Sequence, residues 1–427
     1  MSFAVDLLRA PAGVTTVEAA AAALEETVVN QFGFAERVAA FDAIADQIAK
    51  SARAGALPLP AEGLAFLITF LRKSALTEFV SREVKDLDSL TGFSPVSERK
   101  SIRLAPRGLA CHWIAGNVPL LAVFSWVVSC VLGNRNLIRL SSRQEDPISA
   151  LVDLLAQTSD AGKEIAAQTV VVNFDRENEA AHKTLSEAAD VRIAWGGREA
   201  VDAIRDLPAK WECQDLILGP RMSFAIVDPV VAKDAALKRL ASDICVFDQM
   251  ACSSPQFLFV KSSDSDVTDE FVKRFSHIFA VTARGFQRHE LDYFETYRIQ
   301  LDRARSVLRG GRVLHDKHTE WTVAVDQKPL TDLELVNRFV QIVPFEDPAA
   351  VLEFIPANVQ TVVTLLDQPD FLAFTEAASL RGVCRFPIPG EGNNFENPWD
   401  GVGLVSRLTR TAIRTEQRSE SKQRSAE

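Results

Sequence analysis

Positive charge is scarce in this sequence: 47 Lys and Arg residues face 57 Asp and Glu residues, which leaves a formal net charge of -10. A grip on nucleic acid needs a clustered basic surface, so the acidic balance argues against that partner and favours small-molecule chemistry. The chain has 427 residues, 47% of them hydrophobic and 24% charged, which is an ordinary globular composition. This length suffices for two or three domains with cores of their own.

Close cysteine pairs are missing. The spacing fits neither a zinc knuckle nor a small disulfide framework, so we expect thiols in a reducing compartment and no metal site. Residues 1–6 show no basic segment followed by an apolar core, so no secretion signal is predicted and the cytoplasm is the expected location. The six cysteines are Cys111, Cys130, Cys213, Cys245, Cys252 and Cys384.

Long apolar runs are also rare, with one exception from Trp113 to Gly133 that is about as long as a membrane span. The sequence Gly116-Asn117-Val118-Pro119 near its start would interrupt a helix, and neither a second span nor flanking Lys/Arg asymmetry accompanies it. We therefore predict a buried strand, a tight turn and a buried helix instead of a membrane span.

The residue pattern changes near residue 110. The first hundred residues show helical periodicity, as in Phe34, Val38 and Phe41 and again over Leu64 to Val80. From Cys111 onward, short β-rich runs alternate with amphipathic helices, which predicts an α/β protein with a parallel sheet covered on both faces. The predicted strands are Asn136–Leu140, Thr169–Val172, Val191–Trp195, Phe224–Val227, Phe257–Val260, Phe339–Val343 and Thr361–Leu365.

This pattern predicts a domain order. We expect a mainly helical part at residues 1–105 and a Rossmann-like region of the kind that hosts dinucleotides at 106–221. A second α/β domain with Cys252 is expected at 222–392, followed by a return segment at 393–410; the assignment of these parts to an NADP-binding cofactor domain and a catalytic domain is what the family resemblance described below implies. The polar residues 411–427 are expected to be a disordered tail.

Cys252 lies in Asp-Gln-Met-Ala-Cys-Ser-Ser-Pro-Gln, between a predicted helix (234–246) and a predicted strand (257–260). Such a junction can expose a thiol, and the small neighbours leave room for a substrate, as a nucleophile that becomes acylated requires. A single cysteine is more often a small buried apolar residue, so this position alone leaves both interpretations open.

The segment around Cys252 closely resembles the active-site loop of the aldehyde dehydrogenase superfamily, and in detail that of the LuxC-type acyl-CoA reductases. Further motifs appear in the family's order over residues 111–403. The resemblance implies an aldehyde dehydrogenase-like fold with a Rossmann-like cofactor domain, an α/β catalytic domain and a helical N-terminal region. The further motifs are Ala115-Gly116-Asn117-Val118-Pro119, Trp195-Gly196-Gly197, Gly219-Pro220-Arg221-Met222-Ser223 and Pro398-Trp399-Asp400-Gly401.

The resemblance also implies roles for particular residues. The side-chain amide of Asn117 would join the main-chain N–H of Cys252 as an oxyanion hole, although Asn117 is also a plausible turn residue before Pro119. No Gly-x-Gly-x-x-Gly fingerprint is present. Trp195, Gly196 and Gly197 instead occupy the place where the superfamily rests the cofactor pyrophosphate, ahead of a helix with N-terminal amides.

The strand end at Arg139-Leu140-Ser141-Ser142-Arg143 matches the superfamily segment that grips the adenosine ribose with Lys and Glu. A carboxylate at the last position would repel a 2'-phosphate, whereas Ser142 beside Arg139 and Arg143 offers donors and positive charge. We therefore expect NADPH in preference to NADH, with Arg139, Ser141, Ser142 and Arg143 as cofactor-binding residues. Alternatively, the two arginines are solvated surface charges.

One departure from the superfamily is informative: Ile217 stands where oxidising aldehyde dehydrogenases carry their general base Glu. Because isoleucine accepts no proton, water attack on an acyl-thioester should be slow. The superfamily Glu that holds the nicotinamide ribose aligns with Glu334, although the Phe-Gly-Pro that follows it in the superfamily is absent here. His112 and Asp248 are candidate helpers of proton transfer, and structural roles are the alternative.

The sequence thus predicts NADPH-dependent reduction of an acyl thioester to an aldehyde through an acyl-Cys252 intermediate. The acyl donor would be acyl-CoA, an acyl-carrier protein or an acyl-synthetase partner, and the resemblance implies a homo-oligomer. Two other functions remain open: an aldehyde dehydrogenase acting in the oxidative direction, and a non-catalytic acyl-binding subunit of a complex.

Overall fold

The computed structural model describes residues 5–27, 31–53, 59, 63–114, 120–140, 146–329 and 337–416. It divides into two compact units. The first unit comprises Met1–Gly219 and Phe395–Glu427, and the second comprises Pro220–Asn394. The cofactor and catalytic roles expected for these parts of the chain remain predictions.

Helices and strands alternate through most of the described part of the chain. The α-helices are α1 Val17–Glu26, α2 Phe34–Arg53, α3 Leu64–Phe70, α4 Lys73–Ser81, α5 Leu121–Val131, α6 Pro147–Ala156, α7 Asp160–Ala167, α8 Glu179–Ala188, α9 Arg198–Arg205, α10 Asp234–Cys245, α11 Ser265–Ala283, α12 Tyr293–Leu308, α13 Pro348–Val351, α14 Gln368–Ser379 and α15 Leu404–Leu408. The strands are β1 Val5–Arg9, β2 Ser94–Pro95, β3 Lys100–Pro106, β4 Leu109–Trp113, β5 Arg135–Leu140, β6 Thr169–Phe174, β7 Val191–Trp195, β8 Gln214–Leu218, β9 Met222–Val227, β10 Pro255–Lys261, β11 Arg312–His315, β12 Thr322–Val325, β13 Phe339–Phe345, β14 Val359–Leu365 and β15 Thr409–Thr415.

The main sheet of the first unit has the order β1-β6-β5-β4-β7-β8. Strands β4 to β8 pair in parallel, and β1 joins β6 antiparallel at one edge. The chain moves from β4 outward through β5 to β6 and then returns to the other side of β4 with β7. The order therefore reverses between β4 and β7, and the carboxyl ends of strands at such a switch point are where α/β sheets bind ligands.

The second unit contains a sheet of order β11-β12-β13-β10-β9-β14, parallel except for the antiparallel pair β11 and β12. Alternate residues of β9 serve opposite faces: Phe224 and Ile226 join one buried cluster, whereas Ala225 and Val227 join another. All residues of β9 are buried. The continuous apolar runs in the sequence thus reflect a sheet that is covered on both faces.

The predicted α/β fold class is confirmed, and so is the helical start of the chain, which contains α1 to α4. The helical periodicity gave no sign of β1, β2 or β3. Strand β1 has only five residues and is held by its pairing with β6, so its conformation depends on a partner far away in the sequence.

The prediction of a disordered tail from residue 411 is wrong for its first residues. Strand β15 covers Thr409–Thr415 and pairs antiparallel with β3 in a third sheet of order β15-β3-β2. Its side chains after Thr409 are exposed, which explains the polar composition: main-chain pairing orders this segment without an apolar face. Residues 417–427 lie outside the described part of the chain.

In the long apolar run, Trp113 ends the buried strand β4 and Leu121–Val131 form the buried helix α5, as predicted, while the turn expected at 116–119 lies outside the described residues. Within the described ranges, no helix has both the length and the apolar character needed to cross a membrane.

Candidate functional site

Cys252 lies in the second unit, in the loop that leads into the amino end of β10. Its exposure is intermediate, whereas Cys111, Cys130 and Cys245 are buried. Burial raises the pKa of the Cys111 and Cys130 thiols well above their ordinary value and that of Cys245 to about 12, which suppresses their thiolate forms. Of these four thiols, only Cys252 is accessible, and none of the six cysteines of the chain forms a disulfide.

The loop begins with an unusual turn. Phe247, Asp248 and Gln249 are consecutive and all have positive φ, at 54°, 47° and 65°. A left-handed backbone costs a residue with a side chain roughly 1–3 kcal/mol, so the surrounding contacts must hold this turn in place. A second turn follows at once, closed by a hydrogen bond from Ser254 N to Ala251 O at 2.9 Å, and Cys252 lies within it.

The Asp248 carboxylate makes part of the contacts that keep this turn in place. It is 2% exposed, and its Oδ1 lies 2.6 Å from Nε of the fully buried Arg338. Its Oδ2 accepts from the His289 main-chain N at 2.9 Å and lies 2.6 Å from His289 Nδ1. The main-chain O of Asp248 accepts from Asn337 N at 3.0 Å. Asp248 is therefore part of a buried ion-pair network, which favours a structural role over direct proton transfer.

The Gln249 side chain makes a second set of contacts that keep the turn in place, because its amide forms hydrogen bonds with the first residues of two strands. Its Nε2 donates to Pro255 O at 2.9 Å and to Phe339 O at 2.8 Å, and its Oε1 accepts from Phe339 N at 2.8 Å. The side chain is 1% exposed. The loop is thus anchored to β10 and β13, which the central parallel pairing already joins.

Around Cys252 itself, hydroxyl and amide groups fix the main chain. Ser223 Oγ donates to the Cys252 carbonyl at 2.7 Å. Ser253 Oγ donates to Asn393 Oδ1 at 2.7 Å, and Asn393 Nδ2 donates to Asp243 O at 2.7 Å. Burial raises the pKa of the Asp243 carboxyl to about 7, although hydrogen bonds from the main chain of Gly390 and Gly392 and the charge of Arg385 oppose this. Ser223 and Asn393, which lie outside the loop, therefore fix the orientation of the main chain around Cys252.

Sequence reasoning found Cys252 but missed most of this support. Ser223 belongs to the Gly-Pro-Arg-Met-Ser motif that contributes to the family resemblance, so a signal for it existed. Asn393, His289 and Arg338 come from three other segments of the chain, and no local pattern distinguishes them from ordinary polar residues. Their roles follow only from the packing of the second unit.

In the first unit, Trp195 ends β7, and Gly196 and Gly197 follow it at the switch point of the sheet. Trp195 is 7% exposed, and its Nε1 has no hydrogen-bond partner among the described residues. Gly197 precedes α9, and a Cβ added to it would meet nothing within 4 Å, whereas one added to Gly196 would lie 3.2 Å from Ala200 Cβ. Open space and helix amides therefore coincide at this turn, while the Trp195 ring, at the end of β7, lies 6.2 Å from the Phe395 ring with its buried N–H unpaired among the described residues.

These features fit a bound dinucleotide. A pyrophosphate needs close approach to main-chain N–H groups at a helix N-terminus, which the absence of a side chain at Gly197 allows. A buried N–H without a partner is costly, and a ligand acceptor would satisfy it. Glu199 in the first turn of α9 disfavours an anion.

Arg139 makes a contact that the sequence does not predict, and its expected role in cofactor binding stays a prediction. Its Nε and Nη2 donate to the Phe174 carbonyl at 3.3 and 2.9 Å, at the carboxyl end of β6. Burial lowers the pKa of Arg139, while Asp175 and Glu177 act in the opposite direction. The Arg139 side chain thus joins β5 to β6, and two of its donors serve a main-chain carbonyl.

Two further residues singled out in the sequence, His112 and Ile217, lie in strands of the first unit. His112 is fully buried, with Nδ1 3.1 Å from Ser125 Oγ and Nε2 3.0 Å from Asn136 Oδ1, and burial lowers its pKa to about 4. It is therefore a neutral structural residue. Ile217 lies in β8, half-buried against the core of the unit.

Five predicted site residues lie outside the described part of the chain, and their roles remain predictions. They are Asn117, Ser141, Ser142, Arg143 and Glu334.

Comparison with known proteins gives one family and several relatives. A family model described as acyl-CoA reductase (LuxC) matches residues 35–411. A long-chain acyl-protein thioester reductase of Photorhabdus luminescens is 25% identical over 345 residues, which cover 79% of this chain and 69% of that protein. Long-chain acyl-protein thioester reductase 2 of Photobacterium leiognathi is 26% identical over 341 residues, covering 79% and 70%.

Solved structures resemble this chain in fold. The indole-3-acetaldehyde dehydrogenase AldA of P. syringae has a TM-score of 0.67 at 12% identity, covering 94% of this chain and 88% of that one. The glyceraldehyde-3-phosphate dehydrogenase GapN of Methanocaldococcus jannaschii has a TM-score of 0.66 at 14% identity, covering 94% and 92%. At these identities the likeness establishes the aldehyde dehydrogenase-like fold and nothing further.

Proposed function

The chain belongs to the LuxC acyl-CoA reductase family, and we propose that it reduces an acyl thioester to an aldehyde through an acyl-Cys252 intermediate. The observation that carries the proposal is the half-buried Cys252 thiol, in a loop whose backbone is anchored by Asp248, Gln249 and Ser223. An accessible thiol in a rigid loop is suited to attack a carbonyl repeatedly from one direction.

The first step is acyl transfer. The Cys252 thiolate attacks the thioester carbonyl, the oxygen becomes an oxyanion, and collapse expels the donor thiolate and leaves an acyl-Cys252. The main-chain N–H of Cys252 and the Asn117 amide would hold the oxyanion. Loss of one such donor typically slows a reaction by about 10²- to 10³-fold. The curated relatives are named for acyl-protein thioesters, so we propose an acyl-carrying protein or acyl-CoA as donor.

The second step reduces the acyl group. NADPH, when bound, supplies the hydride that the acyl carbonyl carbon accepts. Gly197 and the N-terminal amides of α9 would hold its pyrophosphate, and Trp195 Nε1 would donate to it. The same oxyanion donors then hold the thiohemiacetal oxygen, the C–S bond breaks, and Cys252 leaves as thiolate while the aldehyde departs.

The preference for NADPH rests on Ser142 and Arg143, with Arg139 as a neighbouring charge. Serine in place of a carboxylate removes the group that would repel a 2'-phosphate, and Arg143 would pair with it. The expected result is much weaker binding of NADH than of NADPH, measured by titration of protein fluorescence. Equal dissociation constants would contradict the preference. Glu334 as a nicotinamide-ribose ligand is proposed on the sequence match alone.

The reductive direction rests on Ile217. With no carboxylate at this position, water attack on the acyl-Cys lacks a base, so the intermediate survives until it is reduced. An Ile217→Glu variant should release free acid faster from acyl-CoA in the absence of NADPH, with Ile217→Gln as the isosteric control that supplies no base. Equal hydrolysis by the two variants would contradict the role assigned to this position.

The test of the whole proposal is incubation with acyl-CoA in the absence of NADPH, followed by mass measurement of the intact protein and its peptides. We expect one acyl group on Cys252 and none on Cys252→Ala. Cys384→Ala is the matched control, because Cys384 is an exposed thiol of the same unit. Equal acylation of wild type and Cys252→Ala would refute the proposal, and tight acyl binding without turnover would identify an acyl-binding subunit.

Location and assembly complete the proposal. Six cysteines without a disulfide fit a reducing compartment such as the cytoplasm, and the family resemblance supports a homo-oligomer with an acyl-synthetase as partner. Fractionation of cells and the mass of the native assembly in solution are the corresponding measurements.

A further inference from the structure

Asp248 joins the turn before Cys252 to two other segments of the second unit. One carboxylate oxygen pairs with the buried Arg338, and the other accepts twice from His289. Arg338 is held in turn by three main-chain carbonyls, since Nη1 donates to Ala283 O at 3.0 Å and Nη2 to Phe286 O and Gln287 O at 3.3 and 3.1 Å. The carboxylate is thus fixed at a position that α11 and its C-terminal extension determine.

Two consecutive turns connect Asp248 to Cys252, so the position of Asp248 affects that of Cys252. Met250 N donates to Phe247 O at 2.7 Å, which closes the first turn, and Ser254 N to Ala251 O closes the second. No residue separates the turns, so a shift at 248 rotates the peptides that follow it. We propose that Asp248 is a positioning residue for Cys252, which acts through Arg338 and His289 and touches no substrate.

The inference rests on the proposed function, because positioning matters only for a reaction with strict geometry. Attack on an acyl carbonyl requires a defined approach of the sulfur, and a displacement of about 1 Å can slow such a step by about 10²-fold. Alkylation by iodoacetamide uses the same thiolate but no bound carbonyl. The ratio of the acylation rate to the alkylation rate therefore reports the position of the thiol and cancels its ionised fraction.

Protonation of His289 makes the contacts that fix this turn depend on pH. It lies between Asp248 and Glu295, with Nε2 3.0 Å from Glu295 Oε1, and its side chain is 39% exposed. Burial alone lowers the pKa of His289, but the hydrogen bonds and charges of Asp248 and Glu295 outweigh it and raise the pKa above its ordinary value. The other charged groups that face this network are Arg288, Arg338, Asp316 and Glu320.

The raised pKa of His289 determines how its contribution to stability changes with pH. A group whose folded-state pKa is raised stabilises the fold fully below its unfolded-state pKa of about 6.5 and loses this contribution as pH rises through the folded value. The contact of His289 with Asp248 should therefore stabilise the turn most below about pH 6.5 and less above it. In the wild type, the ratio of acylation to alkylation should fall over the same interval.

The experiment compares full-length wild type, His289→Ala and Asp248→Asn, with His277→Ala as control because His277 is an exposed histidine on α11 of the same unit. Acylation of Cys252 by acyl-CoA and its alkylation by iodoacetamide are followed by peptide mass from pH 6 to 9, beside the thermal midpoint. Asp248→Asn leaves Arg338 without its counter-charge and puts folding at risk, so the half-exposed His289 provides the decisive variant.

We expect His289→Ala to lower the ratio about tenfold below pH 7 and to abolish its pH dependence, while His277→Ala matches wild type. An unchanged ratio would overturn the positioning role. So would a parallel loss of both rates together with the thermal midpoint, which indicates a purely structural role. Wild type that is alkylated but never acylated at Cys252 would instead refute the proposed function, and the positioning role with it.

Discussion

The loop around Cys252 and the turn at Gly196 and Gly197 are held in different ways. In the second unit, Asp248, Gln249 and Ser223 direct their polar groups to partners within the protein. In the first unit, the turn after β7 offers open space and a buried Trp195 N–H without a partner among the described residues. The contrast supports the proposal that the thiol is positioned before any ligand arrives and that a ligand completes the turn.

The largest expected effect comes from the thiol itself. A Cys252→Ser variant replaces a thiolate nucleophile by a hydroxyl that stays protonated, so aldehyde formation should fall on the order of 10³-fold or more. The measurement is NADPH oxidation with a saturating acyl thioester. Cys384→Ser, at an exposed position, should retain the wild-type rate. Substantial activity in Cys252→Ser would remove the basis for the contrast.

The anchoring of the loop predicts a loss of stability. Gln249→Ala leaves the N–H and C=O of Phe339 and the C=O of Pro255 without their buried partner, which should lower the free energy of unfolding by about 2–4 kcal/mol. Denaturant unfolding measures it, and Gln327→Ala at an exposed position is the control. Equal stability of both variants would show that the loop does not depend on this amide.

For the turn at Gly196 and Gly197 we predict the opposite result: weaker NADPH binding without a loss of stability. Gly197 has φ -64° and ψ 166°, which any residue adopts, and its missing Cβ faces open space, so Gly197→Ala should fold normally. The methyl group would obstruct the approach of a pyrophosphate and weaken NADPH binding by about tenfold, or about 1.4 kcal/mol. Gly196→Ala crowds Ala200 and should lower stability instead. Unchanged NADPH affinity in Gly197→Ala would argue against a cofactor at this turn.

The smallest expected effect concerns the orphaned donor. Trp195→Phe removes an N–H that has no partner in the described part of the protein, so the ligand-free chain loses no hydrogen bond and only the packing of the larger ring near Phe395. NADPH binding should weaken roughly two- to tenfold, equivalent to one hydrogen bond of about 0.5–1.5 kcal/mol. The shift of the thermal midpoint by NADPH is the readout. A full shift in the variant would mean that the indole does not meet the cofactor.

The two regions also differ in how far sequence reasoning reaches. Strand β7 and the glycines after it are local features, and the predicted bounds Val191–Trp195 match the structure. The thiol was identified from its loop, but the partners that hold the loop come from segments such as His289 and Asn393, which only the packing of the second unit brings near. The hydrogen bonds of Arg139 Nε and Nη2 to the Phe174 carbonyl are likewise not predictable from the sequence, because β5 and β6 meet only in the folded sheet.

Strand β15 carries a similar lesson about local patterns. Its exposed polar side chains resemble those of a disordered tail, yet pairing with β3 orders it through the main chain, which a side-chain pattern does not reveal. The helical periodicity from Phe34 and over Leu64–Val80 predicts the helical character of this part, because buried residues recur along α2, α3 and α4, but it does not reveal the break between α3 and α4.

The most direct test of the central claim follows the acyl group itself. Protein acylated at Cys252 by acyl-CoA is freed of excess donor and mixed with NADPH, and the intact mass and the aldehyde are measured over time. The account predicts that the acyl mass disappears at least as fast as steady-state turnover, with one aldehyde released per acyl group lost. An adduct that persists while aldehyde accumulates, or that leaves as free acid, would contradict it.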